Sequence, residues 1–131
     1  MILLLASVSY SQGGSGFSIV LHHRSHPHMI VAALSTNATY PCAGYRIRAT
    51  ATHHLDTVTI RIAGLVRPVP CMASFDQASG EIAIACARVL CIRFGEEVDR
   101  YVLLHQPERE GHNITIVTVT NMFTQVSIQR P

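Results

Sequence analysis

The sequence predicts an all-β fold: one domain built as an antiparallel sandwich or barrel of about eight or nine strands. Three observations carry this. Runs of alternating apolar and polar residues recur about every 8 to 14 residues. Gly, Pro, Asn and Asp separate them at turn positions. No amphipathic stretch of helical period lasts beyond a turn or two. The chain has 131 residues, one domain by size. Its 48% apolar content allows a core that hides roughly two-thirds of the unfolded surface. Charged residues make up only 14%, against a usual ~25%, which argues against disorder.

The strands follow in order. Residues 17–22 form the first apolar run, and 28–34 follow the break at Pro27. In 45–51, Tyr45, Ile47, Ala49 and Ala51 share one face and Arg46, Arg48 and Thr50 the other. Val58, Ile60 and Ile62 turn inward in 57–63, with Thr57, Thr59 and Arg61 outward. Such period-two alternation marks a half-buried strand. His53-His54-Leu55-Asp56 has the length of a hairpin loop. Two prolines keep 64–70 out of a central strand. Alternation resumes in 80–86, with Ile82, Ile84 and Cys86 inward. It reverses parity in 89–94, where Leu90, Ile92 and Phe94 face inward and Cys91 outward. Gly95-Glu96-Glu97 is a turn, and 98–105, 113–120 and 123–128 complete the set.

The N-terminus reads as a targeting remnant. Met1 to Ala6 is apolar, and Ser9-Tyr10-Ser11 fits a small-x-small cleavage pattern before Gln12. The expected organisation is therefore a signal-peptide remnant over 1–11, a flexible joint over 12–16 and a β-sandwich domain over 17–131. The basic segment that usually opens a signal peptide is missing, so the start of the signal is expected upstream. The apolar stretch is far short of the ~20 residues that span a bilayer.

The segments Tyr40 to Tyr45, Thr57 to Gly64, Pro70-Cys71, Gly80 to Ile84 and Asp99 to Leu103 resemble small secreted bacterial immunoglobulin-like β-sandwich proteins of unassigned function. The resemblance covers about residues 40–105. It implies an antiparallel immunoglobulin-like sandwich in a secreted, periplasmic or cell-surface protein. It brings no activity with it, and no functional residue is carried over.

Four cysteines suit an exported chain. Cys42 precedes one strand of an expected hairpin and Cys71 follows the other, so both lie at the end away from His53-His54. A Cys42–Cys71 bridge closes a loop of about 30 residues, worth roughly 3–4 kcal/mol by loop entropy. Cys86 and Cys91 form a local bridge only if Ala87-Arg88 turns tightly; otherwise one is buried and the other an exposed thiol. No CxxC or CxxCH occurs, which removes zinc-ribbon, thioredoxin and covalent-haem chemistry.

Four of the eight histidines crowd into one segment: His22, His23, His26 and His28. Neutral imidazole is a common ligand for Zn²⁺ or Cu²⁺, so a surface metal site is one expectation. No acidic or thiol ligand accompanies the four, and Arg24 opposes a cation, so a solvated polar loop is the plainer one.

All ten cations are arginine, which excludes Schiff-base and Walker-lysine chemistry. They are interleaved with eight acids for a net charge of +2, so nucleic acid is not an expected partner. Arg46, Arg48 and Arg61 form an outward strip able to hold carboxylates or acidic glycans; the plainer reading is a solvated face. Glu96-Glu97 is no glycosidase dyad, since neighbours in a strand point apart. No set of nucleophile, base and oxyanion donors emerges. The expected function is a non-catalytic binding, adhesion or structural module that engages a protein or glycan, with homodimerisation by edge-strand pairing. Two alternatives are a His-rich metal-binding protein and a small protease inhibitor presenting Leu65 to Pro70.

Overall fold

A computed structural model describes residues 16–24, 29–108 and 111–129. The signal remnant at 1–11, most of the joint at 12–16, and His26 and His28 lie outside these residues. Nine strands account for most of the rest: β1 (Phe17–Arg24), β2 (Met29–Ala43), β3 (Arg46–His54), β4 (Thr57–Val66), β5 (Met72–Ala85), β6 (Val89–Phe94), β7 (Glu97–Glu108), β8 (Gly111–Thr120) and β9 (Thr124–Gln129). No helix among the described residues is long and apolar enough to cross a membrane.

The all-β expectation holds, but the sheet is mixed rather than purely antiparallel. The strands form one sheet in the order β8-β7-β6-β4-β3-β5-β2-β1-β9, nearly closed into a barrel. β1 pairs parallel with β9, and β4 parallel with β6. β3 touches β5 in parallel at Arg46 and Ser79 alone. Hairpins join β1–β2, β3–β4, β6–β7 and β7–β8, and the parallel pairs arise where the chain crosses between them. Alternation along a strand sets which face is buried, not the direction of its neighbour, so these pairings left no mark in the pattern.

Of the positions the alternation turns inward, Ile47, Val58, Ile60, Ile62, Ile84, Leu90 and Ile92 are buried, and Ile19, Leu21, Ile30 and Leu103 fill the same core. Phe17, Phe94 and Phe123 meet edge-on or tilted at one mouth of the barrel, with centroids 5.2–6.5 Å apart. Phe94, an inward residue by parity, is part-exposed there because β6 ends at it. Gly80 allows β3 to approach: a Cβ at Gly80 would lie 2.8 Å from the Ile47 carbonyl oxygen. The β3–β4 turn is shorter than its histidines suggest. β3 runs through His54, and only Leu55, at φ 54°, and Asp56 make the turn.

The seam between β8 and β9 is closed at one end by side chains. Asp99 of β7 is fully buried. Its carboxylate accepts the backbone N–H groups of Met122, Phe123 and Thr124 at 2.7–3.0 Å, and the Thr124 hydroxyl at 2.6 Å. Tyr101, two residues on, places its hydroxyl 3.0 Å from the Thr124 carbonyl oxygen and 2.7 Å from Oγ1.

β2 and β5 are the long strands, and their outer halves leave the barrel. β1 accompanies β2 only as far as Thr36, and β3 reaches β5 only at Ser79. Beyond these points residues 37–43 and 72–78 run as a two-stranded arm. The Thr36 hydroxyl secures its root, accepting the Ala78 N–H at 2.9 Å and donating to the Ala38 carbonyl at 2.8 Å. It sits where the β2–β5 register shifts between Ser35 and Thr39.

Candidate functional site

The two ends of the barrel differ in chemistry. The β1–β2, β3–β4 and β7–β8 hairpins lie at one end, together with the Ala85–Val89 crossing. His22, His23, His53, His54, His105 and His112 all occupy strand positions toward this end. His53 and His54 are exposed and His22 is half-buried. His105 is engaged: its Nε2 lies 2.7 Å from the Ala87 carbonyl oxygen, tying β7 to the β5–β6 crossing. Of the expected metal set, His22 and His23 are the two residues before the last of β1, paired with Val31 and Ile30. Among the described residues no group of three His, Cys, Asp or Glu is placed to hold a metal ion. The fold brings the described histidines toward one end.

The opposite end carries the arm. A disulfide joins Cys42, near the end of β2, to Cys71, just before β5, with Cα atoms 5.2 Å apart. Cys86 and Cys91 are both free, so the local bridge between them does not form. Their surroundings invert the parity assignment. Cys86 falls beyond the last residue of β5 and is exposed. Cys91 is buried although Leu90 and Ile92 beside it hold the core face; Thr59 and Arg100 flank it across β4 and β7. Desolvation pushes the Cys86 thiol above its usual range, away from the thiolate a nucleophile requires.

At the arm the chain passes from β4 through Arg67-Pro68-Val69-Pro70 to Cys71. Pro68 packs toward Gly44 in the β2–β3 turn, whose φ of 95° suits glycine. Tyr40 stacks on Tyr45 at 5.0 Å, filling the underside of the arm. The outer side is apolar and open. Val69 is 94% exposed, Phe75 80% and Met72 65%, with Val66 also exposed. The β2–β5 register shift between Tyr40 and Cys42 leaves Ser74 and Phe75 opposite Pro41 in a bulge.

Arg46, Arg48 and Arg67 surround this surface, all exposed. Arg46 pairs with Val66 and Arg48 with Gly64 across β3 and β4. A cleft of about 340 Å³ opens between Arg48 and Arg67, floored by residues 63–66. Arg61 lies farther down β4, opposite Thr50, so the strip expected from Arg46, Arg48 and Arg61 is joined at its upper end by Arg67 instead. In the sequence, Leu65 to Pro70 and the arginines stand out separately; the non-local β2–β5 pairing that carries Phe75 and Met72 to the same end leaves no local signal.

A second cleft, of about 360 Å³, lies on the barrel seam between Thr118 of β8 and Gln125 to Ser127 of β9, beside Ser18 and Asn121. Its lining is hydroxyl and amide, with Tyr101 at the base. Compared with known protein families, curated proteins and solved structures, the chain matches none.

Proposed function

We propose that the chain is an exported, non-catalytic binding or adhesion module of the immunoglobulin-like β-sandwich type, and that the arm is its contact surface. One observation carries the reading: large apolar side chains stand in solvent on an element braced by a disulfide. Exposing Val69, Met72 and Phe75 forgoes the burial energy each would gain in a core. The Cys42–Cys71 bond, the Tyr40–Tyr45 stack and the Thr36 bonds hold the element that exposes them. A rigid apolar surface binds with little ordering cost. The disulfide favours an oxidising compartment, in keeping with export. An all-β chain with one core fed by the inward faces of its strands supports that reading.

Glycan and peptide arrays probed with the wild-type chain and with V69S/F75S test this. Binding to any array ligand that disappears in the double variant supports the arm as contact surface. Binding that persists undiminished in the variant overturns it.

A second reading is favoured by the exposure of residues 66–70 directly before Cys71. An exposed segment anchored by a disulfide can occupy a protease cleft as an inhibitor does. Titration against a panel of serine proteases decides it: inhibition lost in Arg67→Ala supports it, and uninhibited panel activity removes it.

A further inference from the structure

β8 and β9 follow one another in the chain and are joined only by residues 121–123. Neighbours with so short a connection ordinarily close into a hairpin. These two do not. They are the opposite ends of the sheet, and no pairing joins them. β7 supplies the reason. Asp99 takes the N–H groups of Met122, Phe123 and Thr124, and the Tyr101 hydroxyl donates to the Thr124 carbonyl. The first backbone donor and acceptor of β9 are thus spent on side chains of β7.

Two hydrogen bonds fix which backbone groups face the seam. Leu103 gives its N–H to the Arg88 carbonyl, on the β6 side. Backbone direction alternates along a strand, so Ile116, opposite Leu103, turns its N–H and C=O away from β7. Ile114 and Thr118 do likewise. Phe17 gives its N–H to the Phe123 carbonyl, so Phe123, Gln125 and Ser127 face β1. Thr124, Val126 and Ile128 then face the seam. Asp99 and Tyr101 serve Thr124; among the described residues no strand serves Ile114, Ile116, Thr118, Val126 or Ile128. The edges also lack the usual guards. Free edges normally carry charges or proline that deter further pairing. Residues 113–120 are Asn-Ile-Thr-Ile-Val-Thr-Val-Thr and 124–129 are Thr-Gln-Val-Ser-Ile-Gln, with neither. The side chains show the same opening. Thr118 lies on the face of buried Tyr101 yet is exposed, and Ile116, Val126 and Ile128 pack on the core but are only half-buried. The cleft of about 360 Å³ lies between these edges.

We infer that the seam is a strand-addition site that takes an extended, uncharged peptide segment of another polypeptide. Two rows of backbone donors and acceptors are matched by an extended backbone. Alternate guest side chains turn inward onto Ile116, Val126 and Ile128, so apolar residues suit every second position. The lining side chains Ser18, Thr118, Asn121, Gln125 and Ser127 carry no charge, so a charged guest residue loses hydration without gaining a partner. A strand inside a folded copy brings its own neighbours, which a slot flanked on both sides excludes; a free segment brings none. No residue of the arm takes part, so the site does not rest on the arm as contact surface.

The test uses the full chain and a capped peptide of about eight residues, Val alternating with Ser. Fluorescence anisotropy reads binding, and amide exchange reads its place. Bound peptide is expected to slow exchange at Ile116, Thr118, Val126 and Ile128 by at least about tenfold, with little change at Thr115, Gln125 and Ser127, whose amides face β7 or β1. The fully N-methylated peptide keeps the side chains but has no donors, and is expected to bind about tenfold more weakly. Val126→Pro removes one seam N–H and spares the β1 ladder; about a tenfold loss of affinity is expected. Where that variant melts lower than the wild type, Ser127→Arg decides, since it leaves the backbone intact and puts a charge in the slot; a similar loss is expected. No binding, equal binding of the N-methylated peptide, or undiminished binding by Ser127→Arg overturns the inference. So does protection of the Ile116 and Val126 amides before any peptide is added, because the seam is then already filled by the chain itself or by a second copy.

Discussion

A carboxylate shut away from water is costly unless its lone pairs are filled, and Asp99 fills its own with four donors from one turn. Three of them are backbone N–H groups that no sheet neighbour satisfies. Asp99→Asn keeps the shape but turns an N–H donor toward these donors; we expect a loss of about 2–3 kcal/mol, read as a lower urea midpoint. Asp99 and Tyr101 lie two apart in β7, which puts them on one strand face. The partners were not legible, because they come from a turn more than twenty residues away. Tyr101 supplies a pH dependence. Burial raises its phenol above the usual range; the Thr124 hydrogen bond opposes this and the Asp99 charge adds to it. The folded state therefore holds this proton more tightly than the unfolded chain does. Its contribution is complete below the ordinary tyrosine value of about 10 and is lost as pH climbs through the higher folded value. Urea midpoints should fall as pH rises above about 10; Tyr101→Phe should flatten that part of the profile.

At the level of elements, legibility followed the distribution of solvent. β6 is read correctly at both ends, because its alternation is between core and surface. The outer half of β2 and the first half of β5 escaped notice. Ser35 to Thr39 is small or polar, and Ala73 to Ser79 carries a single large apolar residue, Phe75, so neither stretch shows the alternation that marks a strand. Only the cysteines announced it, since Cys42 and Cys71 were expected at one end of the domain. The bond closes a loop with a sequence separation of 29, and C42A/C71A should cost about 3–4 kcal/mol on the loop-entropy model. Hydrogen exchange locates the effect. Amides of residues 37–43 and 72–78 should lose protection first, while those of β4 and β6 follow global unfolding. Uniform loss across all strands would show that the arm and barrel open as one unit.

For the molecule as a whole, the mixed sheet makes early and late parts of the chain interdependent. β9 is the last strand and pairs only with β1, the first. Its Val126 and Ile128 pack on the core, and its first residue together with the turn before it carries every donor to Asp99. A chain ending at Thr120 should therefore fail to give a cooperative urea transition by circular dichroism, rather than a merely lowered midpoint. A sigmoidal transition in that truncation would mean that the first eight strands suffice. With no tryptophan in the chain, tyrosine emission is the natural optical probe, and buried Tyr101 reports on this seam.

The parallel pairing of β1 and β9 also sets how the molecule can be held. The chain enters β1 at Gly16, whose carbonyl accepts the Asn37 N–H at the root of the arm, and leaves β9 at the histidine end. An anchor or label attached ahead of Gly16 crowds the apolar tip, whereas one attached after Gln129 points it outward. Immobilised through its C-terminal side, the protein presents the arm to whatever flows past; immobilised through the other, it hides the arm against the support.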